Sequence, residues 1–344
     1  MVKIARLGGM EAILKAMELH PGSKEVQQHG CGALLNLAVN ADNMVKIARL
    51  GGMEAILKAM ELHPGSKEVQ EQGCWALLNL AFNADNMVKI ARLARLGGME
   101  AILKAMELHP GSKEVQEQGC WALGNLALNA DNKVKIARLG GMEAILKAME
   151  LHPGSKEVQE QGCWALLNLA FNDDNMVKIA RLGGMEAILK AMELHPGSKE
   201  VQEQGCGALL NLAGNADNMV KIARLGGMEA ILKAMELHPG SKEMQEQGCG
   251  ALLKLAGNDD NMVKIARLGG MEAILKAMEL HPGSKEVQEQ GCGALLNLAV
   301  NADNMVKIAR LGGMEAILKA MELHPGSKEV QEQGCWALTE ARRQ

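Results

Sequence analysis

The chain repeats itself with a period of 43 residues, and this period constrains the fold more than any other feature. The repeated sequence starts eight times, and only the third copy, which is three residues longer, breaks the period. Each repeat of such an array buries its apolar face only against its neighbours, so the sequence predicts one elongated domain over residues 1–344. The predicted repeats are residues 1–43, 44–86, 87–132, 133–175, 176–218, 219–261, 262–304 and 305–344.

The second repeat serves as the example for the first two predicted helices. Asp42 and Asn43 are predicted to cap a short first helix, MVKIARL, which the glycine pair at 51–52 ends. Apolar residues at i, i+3, i+4 and i+7 then predict an amphipathic second helix, whose buried face carries Met53, Ile56, Leu57 and Met60. Glu54 and Lys58 on its other face are predicted to form an i, i+4 ion pair.

A third helix is predicted after the His-Pro-Gly turn, with Ser66 as its N-cap and an end near Phe82. Its predicted core side carries Val69, Gly73, Ala76, Leu77, Leu80 and Ala81. Its predicted exposed side carries Glu68, Glu71, Gln72, Trp75 and Asn79. Glycine in a helix interior costs about 1 kcal/mol relative to alanine, so Gly73 predicts a close contact within the stack.

Three helices in each repeat, a GG turn, and the pattern VQ-x-x-G-C-x-A-L-x-N-L-A in the third helix resemble the armadillo repeat in all eight copies. The resemblance implies an all-α fold, a right-handed superhelical solenoid whose third helices line a concave groove. It also implies a non-enzymatic protein-protein interaction scaffold. Gly-Cys stands where armadillo repeats commonly have alanine, which is a small-for-small change.

Tryptophan and asparagine stand four residues apart in three consecutive third helices, as Trp75 with Asn79, Trp121 with Asn125, and Trp164 with Asn168. Residues at this spacing are neighbours on one helix face. The pattern resembles the W-x-x-x-N array of the importin-alpha family, which implies amides that bond a peptide backbone and tryptophans that form slots for its side chains. An amide offers two donors and one acceptor, and an indole face attracts aliphatic stems and cations.

Carboxylates one or two turns before these residues would select lysine or arginine, so the predicted ligand is an extended basic peptide. The predicted peptide-binding residues are Trp75, Asn79, Trp121, Asn125, Trp164, Asn168, Asn211, Glu71, Glu117 and Glu160. Glu68, Glu114 and Glu157 are predicted to join the acidic rim. A third helix that is acidic, in a chain of net charge −4, lacks the basic stripe that nucleic acid requires.

The array of Trp and Asn is incomplete outside repeats two to four, which we therefore expect to carry the site. Glycine replaces tryptophan in repeat one, at Gly32, and in repeats five to seven. Lys254 replaces asparagine in repeat six, and Glu340 follows Trp336 in repeat eight. In the alternative interpretation, tryptophan fills space between neighbouring third helices and asparagine bonds locally.

No other pattern predicts chemistry. Each repeat has one cysteine, and equivalent helices stack about 8 to 10 Å apart, beyond the ~7 Å limit for disulfide-linked Cα atoms. We therefore expect buried thiols. The histidine of each His-Pro-Gly turn lacks a second local ligand and is interpreted as a turn residue, so neither a metal nor a cofactor is predicted. No nucleophile has a recognisable base nearby, which argues against an enzyme.

Composition predicts a soluble chain. Hydrophobic residues form 48% and charged residues 23% of the sequence, and no apolar run is long enough to cross a bilayer. The chain also begins inside a repeat without a signal-like segment, so we expect an intracellular protein, cytoplasmic and/or nuclear, without a membrane partner.

The irregular copies and the ends give further expectations. The duplication ARLARL at residues 91–96 rotates a helix by about 300° and should disturb repeat three. We expect earliest hydrogen exchange there and in residues 1–43. In the last repeat, Thr339, Ala341 and Arg342 replace two leucines and an alanine of the core pattern, so this end is predicted to be capped. At the other end, Gly30, Cys31 and Leu34 are predicted to lack a neighbouring repeat.

Two alternatives to a dedicated peptide ligand follow from these features. Self-association through the uncapped first repeat is one alternative function. Copies this alike also indicate either a recent tandem expansion or a sequence constructed from a consensus, and a constructed scaffold has no dedicated ligand.

Overall fold

The structure, a computed structural model, describes residues 7–92 and 97–340. Across these residues the only regular secondary structure is helical, and the helices follow one another in the order that the repeat predicts. The predicted all-α fold with three helices per repeat is confirmed. Among the described helices, none has both the length and the apolar character needed to cross a bilayer.

The first helices are longer than predicted at their N-termini, and their predicted caps are wrong. Asn40, not Asp42 or Asn43, is the N-cap, because its Oδ1 accepts a hydrogen bond from the backbone N–H of Asn43 at 3.1 Å. Gly51, with φ of 84°, ends the helix as predicted. The described first helices are Ala41–Arg49, Ala84–Arg92, Ala130–Arg138, Asp173–Arg181, Ala216–Arg224, Asp259–Arg267 and Ala302–Arg310.

The second helices are amphipathic, as predicted, and bury Met53, Ile56 and their equivalents in repeats three to seven. The predicted pair between Glu54 and Lys58 is wrong. Glu54 instead lies 3.1 Å from Lys89 of the next repeat, whose ammonium group reaches back to it. The second helices are Gly9–Leu19, Gly52–Leu62, Gly98–Leu108, Gly141–Leu151, Gly184–Leu194, Gly227–Leu237, Gly270–Leu280 and Gly313–Leu323.

The third helices form the centre of each repeat. Ser66 caps the second of them as predicted, since its Oγ accepts a hydrogen bond from the Val69 N–H at 3.3 Å. Cys74 and Leu78 are buried in addition to the predicted core side, because second helices and neighbouring third helices pack around it. The third helices are Lys24–Leu37, Lys67–Ala81, Lys113–Leu126, Lys156–Leu169, Lys199–Leu212, Lys242–Leu255, Lys285–Ala299 and Lys328–Glu340.

A buried glutamine joins the second and third helices of each repeat. Gln70 Nε2 donates to the carbonyl oxygens of Met60 and His63 at 2.8 and 3.0 Å. These carbonyls end the second helix and have no partner within it. No sequence motif indicated this role of the glutamine. The same pair of hydrogen bonds is made by Gln27, Gln116, Gln159, Gln202, Gln245, Gln288 and Gln331.

The close contact predicted at Gly73 is present, and its partner is a side chain of the same repeat. A Cβ atom at Gly73 would lie 2.6 Å from both Cγ and Sδ of Met60. We expect Gly73→Ala to lower stability by about 1 to 3 kcal/mol through overpacking, despite the gain in helix propensity. Urea denaturation measures this effect. Gly65→Ala, which meets open space, is the control, and equal midpoints for the two variants would contradict the interpretation.

The chain divides into two compact units, Met1–Asn175 and Met176–Gln344. The first unit holds repeats one to four and the second holds repeats five to eight. Within each unit, consecutive third helices pack against each other and each second helix packs on the third helix of its own repeat. Each unit therefore buries a core between its own repeats.

Ion pairs between repeats change the expected charge of the third helices. Lys24 lies 2.7 Å from Glu68, Lys67 lies 2.6 Å from Glu114, and Lys113 lies 2.7 Å from Glu157. The second unit has the same pairs between Lys199 and Glu243, Lys242 and Glu286, and Lys285 and Glu329. The lysine of one third helix thus neutralises one glutamate of the next, which reduces the predicted acidic character of these helices.

The turn histidines also join consecutive repeats. His63 caps the second helix, as a turn residue should, and its Nε2 lies 2.7 Å from the carbonyl oxygen of Pro21. Because a carbonyl only accepts, Nε2 carries the proton and donates. Equivalent hydrogen bonds join His109 to Pro64, His152 to Pro110, His238 to Pro196, His281 to Pro239 and His324 to Pro282.

Seven of the eight cysteines are buried and belong to no disulfide, as predicted, and Cys335 is exposed. Burial raises the pKa of the Cys74 thiol to about 12, which suppresses its reactive thiolate. We expect a thiol reagent at pH 8 to label one cysteine of the native chain rapidly and the other seven only after unfolding. Mass spectrometry of the labelled peptides checks this. Rapid labelling of Cys74 in the native protein would contradict it.

The predicted irregular regions are described only in part. Residues 93–96, within the duplication, lie outside the described residues, as do Ala341 and Arg342. The expectation that Gly30, Cys31 and Leu34 await a neighbour is wrong. All three are buried, because Met17 of the same repeat covers Gly30 and the next repeat packs on the third helix.

Candidate functional site

A four-residue stripe recurs on the third helices of the first unit. In repeat two it consists of Glu71, Trp75, Asn79 and Phe82, which share one helix face because they stand at i, i+4, i+8 and i+11. Repeats three and four repeat the stripe with Glu117, Trp121, Asn125 and Leu128, and with Glu160, Trp164, Asn168 and Phe171. We call these three stripes the third-helix surface. The nine predicted peptide-binding residues of the first unit all belong to it.

The tryptophans of this surface pack against neighbouring repeats. Trp75 is exposed, whereas Trp121 and Trp164 are half-buried. The Trp121 ring lies edge-on to Phe82 of the preceding repeat, with centroids 6.3 Å apart. A Cβ atom at Gly124 would lie 2.7 Å from the Trp164 ring, so glycine at this position makes room for the indole. The predicted slots are therefore open only in part.

Tryptophan also covers an apolar residue of the repeat before it. Leu35 and Leu78 precede repeats with tryptophan and are buried. In the second unit, Leu210 and Leu253 precede repeats with glycine and are half-exposed. A Cβ atom at Gly250 would lie 3.2 Å from Leu210, which places the two positions in contact. The alternative interpretation, that tryptophan fills space between third helices, thus holds alongside the partial exposure.

The asparagines fall into two groups. Asn79 Nδ2 donates to the Leu35 carbonyl at 3.4 Å, and Asn297 Nδ2 donates to the Leu253 carbonyl at 3.1 Å. These amides bond locally, as the alternative interpretation predicted. Asn211, in the second unit, is half-buried and follows Gly207 rather than a tryptophan.

Asn125 and Asn168 form the second group. They are only 2% and 3% exposed, so the expectation of an open floor is wrong at these two positions. Packing explains this at Asn125, because Trp164 closes over the adjacent residue, Gly124. Within the described part of the chain, the Nδ2 atoms of both asparagines are buried and have no hydrogen-bond partner.

Three further polar atoms in repeats three and four share this property. Trp164 Nε1, Asn132 Nδ2 and Gln118 Oε1 are buried without a partner among the described residues. A buried donor or acceptor without a partner costs about 1 to 3 kcal/mol. Three of these five atoms, those of Asn125, Asn168 and Trp164, are donors in the W-x-x-x-N pattern. They lack an acceptor, which a water molecule or a peptide carbonyl would supply.

The carboxylates of the surface are partly shielded from water. Burial, with the nearby Glu114 charge, raises the pKa of Glu71, and burial with the Glu157 charge raises that of Glu117. Glu160 accepts a hydrogen bond from Gln161 at 3.1 Å. Glu68, Glu114 and Glu157, which were predicted to form the rim, are instead paired with lysines of the preceding repeats, which lower the pKa of each to about 2.

A series of cavities lies elsewhere, in clefts between consecutive second helices. A cleft of about 460 Å³ between repeats six and seven is lined by Leu232, Met235 and Leu280. Equivalent clefts recur in both units, so they follow from the geometry of the repeat. No group of three or more His, Cys, Asp or Glu side chains that could hold a metal occurs within residues 7–92 and 97–340.

Comparisons with known proteins identify the type of repeat. The profile of the GAC ARM domain family matches residues 2–342. No curated protein matches the sequence. Among solved structures, a chain from a study of the phosphorylation switch that controls the interaction between cadherin and beta-catenin matches with a TM-score of 0.50 and 18% identity. The match covers 98% of this chain and 77% of the other, and at this identity it shows the fold alone.

Proposed function

Because this chain belongs to the GAC ARM domain family of armadillo-repeat proteins, we propose that it is a non-catalytic scaffold that binds an extended, basic peptide on its third-helix surface. The observation that carries the proposal is the set of buried donors without acceptors on Asn125, Asn168 and Trp164. The similar solved structure comes from work on cadherin and beta-catenin, which interact with each other, and this supports a protein or peptide partner.

Hydrogen bonding supports an extended chain as the ligand. Amide and indole N–H groups donate to carbonyl oxygens, and an extended peptide presents such oxygens along its length whatever its sequence. Asn125 and Asn168 are available for this role because their Nδ2 atoms have no hydrogen-bond partner among the described residues. Binding would require the Trp164 ring to move, since these donors are now covered.

Charge supports a basic ligand. Glu71 and Glu117 are half-buried, and burial and neighbouring carboxylates both disfavour their ionised forms. A lysine or arginine side chain placed beside them would relieve this repulsion. Its aliphatic stem would lie against the exposed Trp75 ring.

Titration calorimetry with a seven-residue lysine peptide at low salt tests the proposal directly. We expect saturable binding that weakens as salt screens the carboxylates. The control is Trp75→Ala with Glu71→Gln, which removes one slot and one carboxylate. Absence of binding to the intact chain, or equal binding to this variant, would overturn the proposal.

The affinity should also depend on pH. Glu71 and Glu117 have pKa values raised above the ordinary 4.5 in the free protein, and only their ionised forms attract a cation. Affinity should therefore fall as the pH decreases toward these raised values, and it should be lower at pH 5 than at pH 7. Calorimetry at several pH values checks this. In Glu71→Gln with Glu117→Gln, affinity should be weak and nearly independent of pH, and an unchanged pH profile would contradict the assignment.

Self-association through the first repeat is a second candidate function. Val26 is partly exposed, whereas the equivalent Val69, Val115 and Val158 are fully buried. A second molecule that packs on this face would complete its burial. Light scattering over a range of concentrations distinguishes the two functions, because only self-association predicts a mass that grows with concentration.

A further inference from the structure

We propose that the peptide recognised by the third-helix surface alternates long basic side chains with apolar ones. This inference rests on the proposed function and specifies the class of ligand. It follows from the fourth residue of each stripe, which the sequence analysis did not include in the site. These residues are Phe82, Leu128 and Phe171, and we call them the apolar edge.

The apolar edge is exposed in all three stripes. Phe82, Leu128 and Phe171 have exposed fractions of 54%, 52% and 62%. Each stands at or just after the C-terminal end of a third helix, in consecutive repeats of one unit. Contiguous apolar patches on a protein surface mark contact surfaces, and equivalent residues of consecutive repeats are placed to form one.

The apolar edge and the tryptophan are lost together in two repeats. In repeats five and six, glycine replaces both the tryptophan and the apolar residue, as Gly207 with Gly214 and Gly250 with Gly257. Val300 in repeat seven follows Gly293, so it is an exposed apolar residue without a complete stripe. Complete stripes therefore occur only in repeats two to four, where the donors without acceptors also lie.

The two sides of the asparagine row make different demands on a ligand. Asn79 is eight residues from Glu71 and three from Phe82, or about 12 Å and about 4.5 Å along the helix axis. A side chain that points toward Glu71 must pass Trp75, so it needs a long aliphatic stem with a cation at its end. A side chain that points the other way meets the apolar edge almost at once.

An extended chain fits this asymmetry because its successive side chains point to opposite sides. If its backbone follows the asparagine row, alternate side chains face the glutamates and the apolar edge. Lys133 supports placing the basic side chains of the ligand away from the apolar edge, since its ammonium group lies 5.1 Å from the centre of the Phe171 ring. A cation at the apolar edge repels basic side chains of a ligand from that side.

The length of the surface fixes the length of the ligand. Neighbouring helices lie about 8 to 10 Å apart, so three stripes span about 16 to 20 Å. An extended chain rises about 3.3 Å per residue, so five or six residues cover this distance. Peptides of about seven residues are therefore sufficient probes.

The test compares three seven-residue peptides by calorimetry with the full chain at low salt. The first alternates lysine and leucine, the second has the same composition in two blocks, and the third is all lysine. We expect the alternating peptide to bind about tenfold more tightly than the block peptide. Leu128→Ser should remove most of this advantage, and Val300→Ser, the matched control, should preserve it. Circular dichroism verifies that both variants are folded.

The outcomes separate this inference from the function on which it rests. If the alternating peptide binds no more tightly than the block peptide and the lysine peptide, the apolar edge does not recognise the ligand. The same conclusion follows if Leu128→Ser leaves the higher affinity of the alternating peptide unchanged. In that case, binding of the lysine peptide still supports a basic ligand. If none of the three peptides binds, the proposed function itself is overturned.

Discussion

Replacing Trp121 with alanine should lower the free energy of unfolding by about 3 kcal/mol, near the lower end of the range for large aromatic truncations because the ring is half-buried. Leu78 is fully buried and is the equivalent of Leu210, which lies beside Gly250, the equivalent of Trp121. The Trp121 ring also lies edge-on to Phe82. Its removal exposes Leu78 and leaves a gap between two third helices. Urea denaturation followed by circular dichroism measures the loss.

The reciprocal substitution provides the control. Gly250→Trp should raise stability by about 1 to 2 kcal/mol, because the new ring would cover the half-exposed Leu210 and remove a glycine from a helix interior. The nearest atoms to the new Cβ, Oε1 of Gln290 and Cδ2 of Leu210 at 3.2 Å, lie at the ends of side chains that can shift. If Trp121→Ala unfolds at the same urea concentration as the unmodified chain, tryptophan does not join the repeats.

Replacing Asn125 with alanine should weaken binding of the basic peptide by about 1 to 3 kcal/mol, or roughly tenfold to a hundredfold, while it leaves stability unchanged or higher. Its amide N–H groups have no hydrogen-bond partner among the described residues, whereas in the complex a peptide carbonyl would lose its donor. The opposite result is expected for Asn297→Ala. That variant loses the hydrogen bond to Leu253 and about 1 kcal/mol of stability, but keeps its affinity.

To detect these opposite effects, each variant is measured in two assays, by calorimetry for affinity and by urea denaturation for stability. A merely structural role for both asparagines predicts lower stability in both variants and no specific effect on affinity. Equal losses of affinity in the two variants would contradict a site confined to repeats two to four.

Features that depend on one helix were predictable from the sequence. The apolar spacing of Met53, Ile56 and Met60, the cap at Ser66 and the turn at Gly51 are encoded within a few residues of one another. Such local signals determine which side of a helix is buried and where it ends. The three helices of each repeat follow from them.

Features that depend on the position of the next repeat were not predictable in the same way. Glu68 was predicted to be free for a ligand, yet it pairs with Lys24, a residue 44 positions earlier in the sequence. The bond from His63 to Pro21 and the cover that tryptophan gives Leu78 have the same origin. Sequence spacing identified the stripe residues, but their exposure depends on how neighbouring third helices pack.

The most direct test of backbone recognition is the signal of the donors themselves. In a ¹H–¹⁵N correlation spectrum, addition of the basic peptide should shift the side-chain amide signals of Asn125 and Asn168 and the indole N–H signal of Trp164, with saturation at one peptide per chain. The amide of Asn297, which already donates to Leu253, should not move. Shifts at Asn297 equal to those at Asn125, or a saturated complex in which the three donor signals remain in place, would contradict the account.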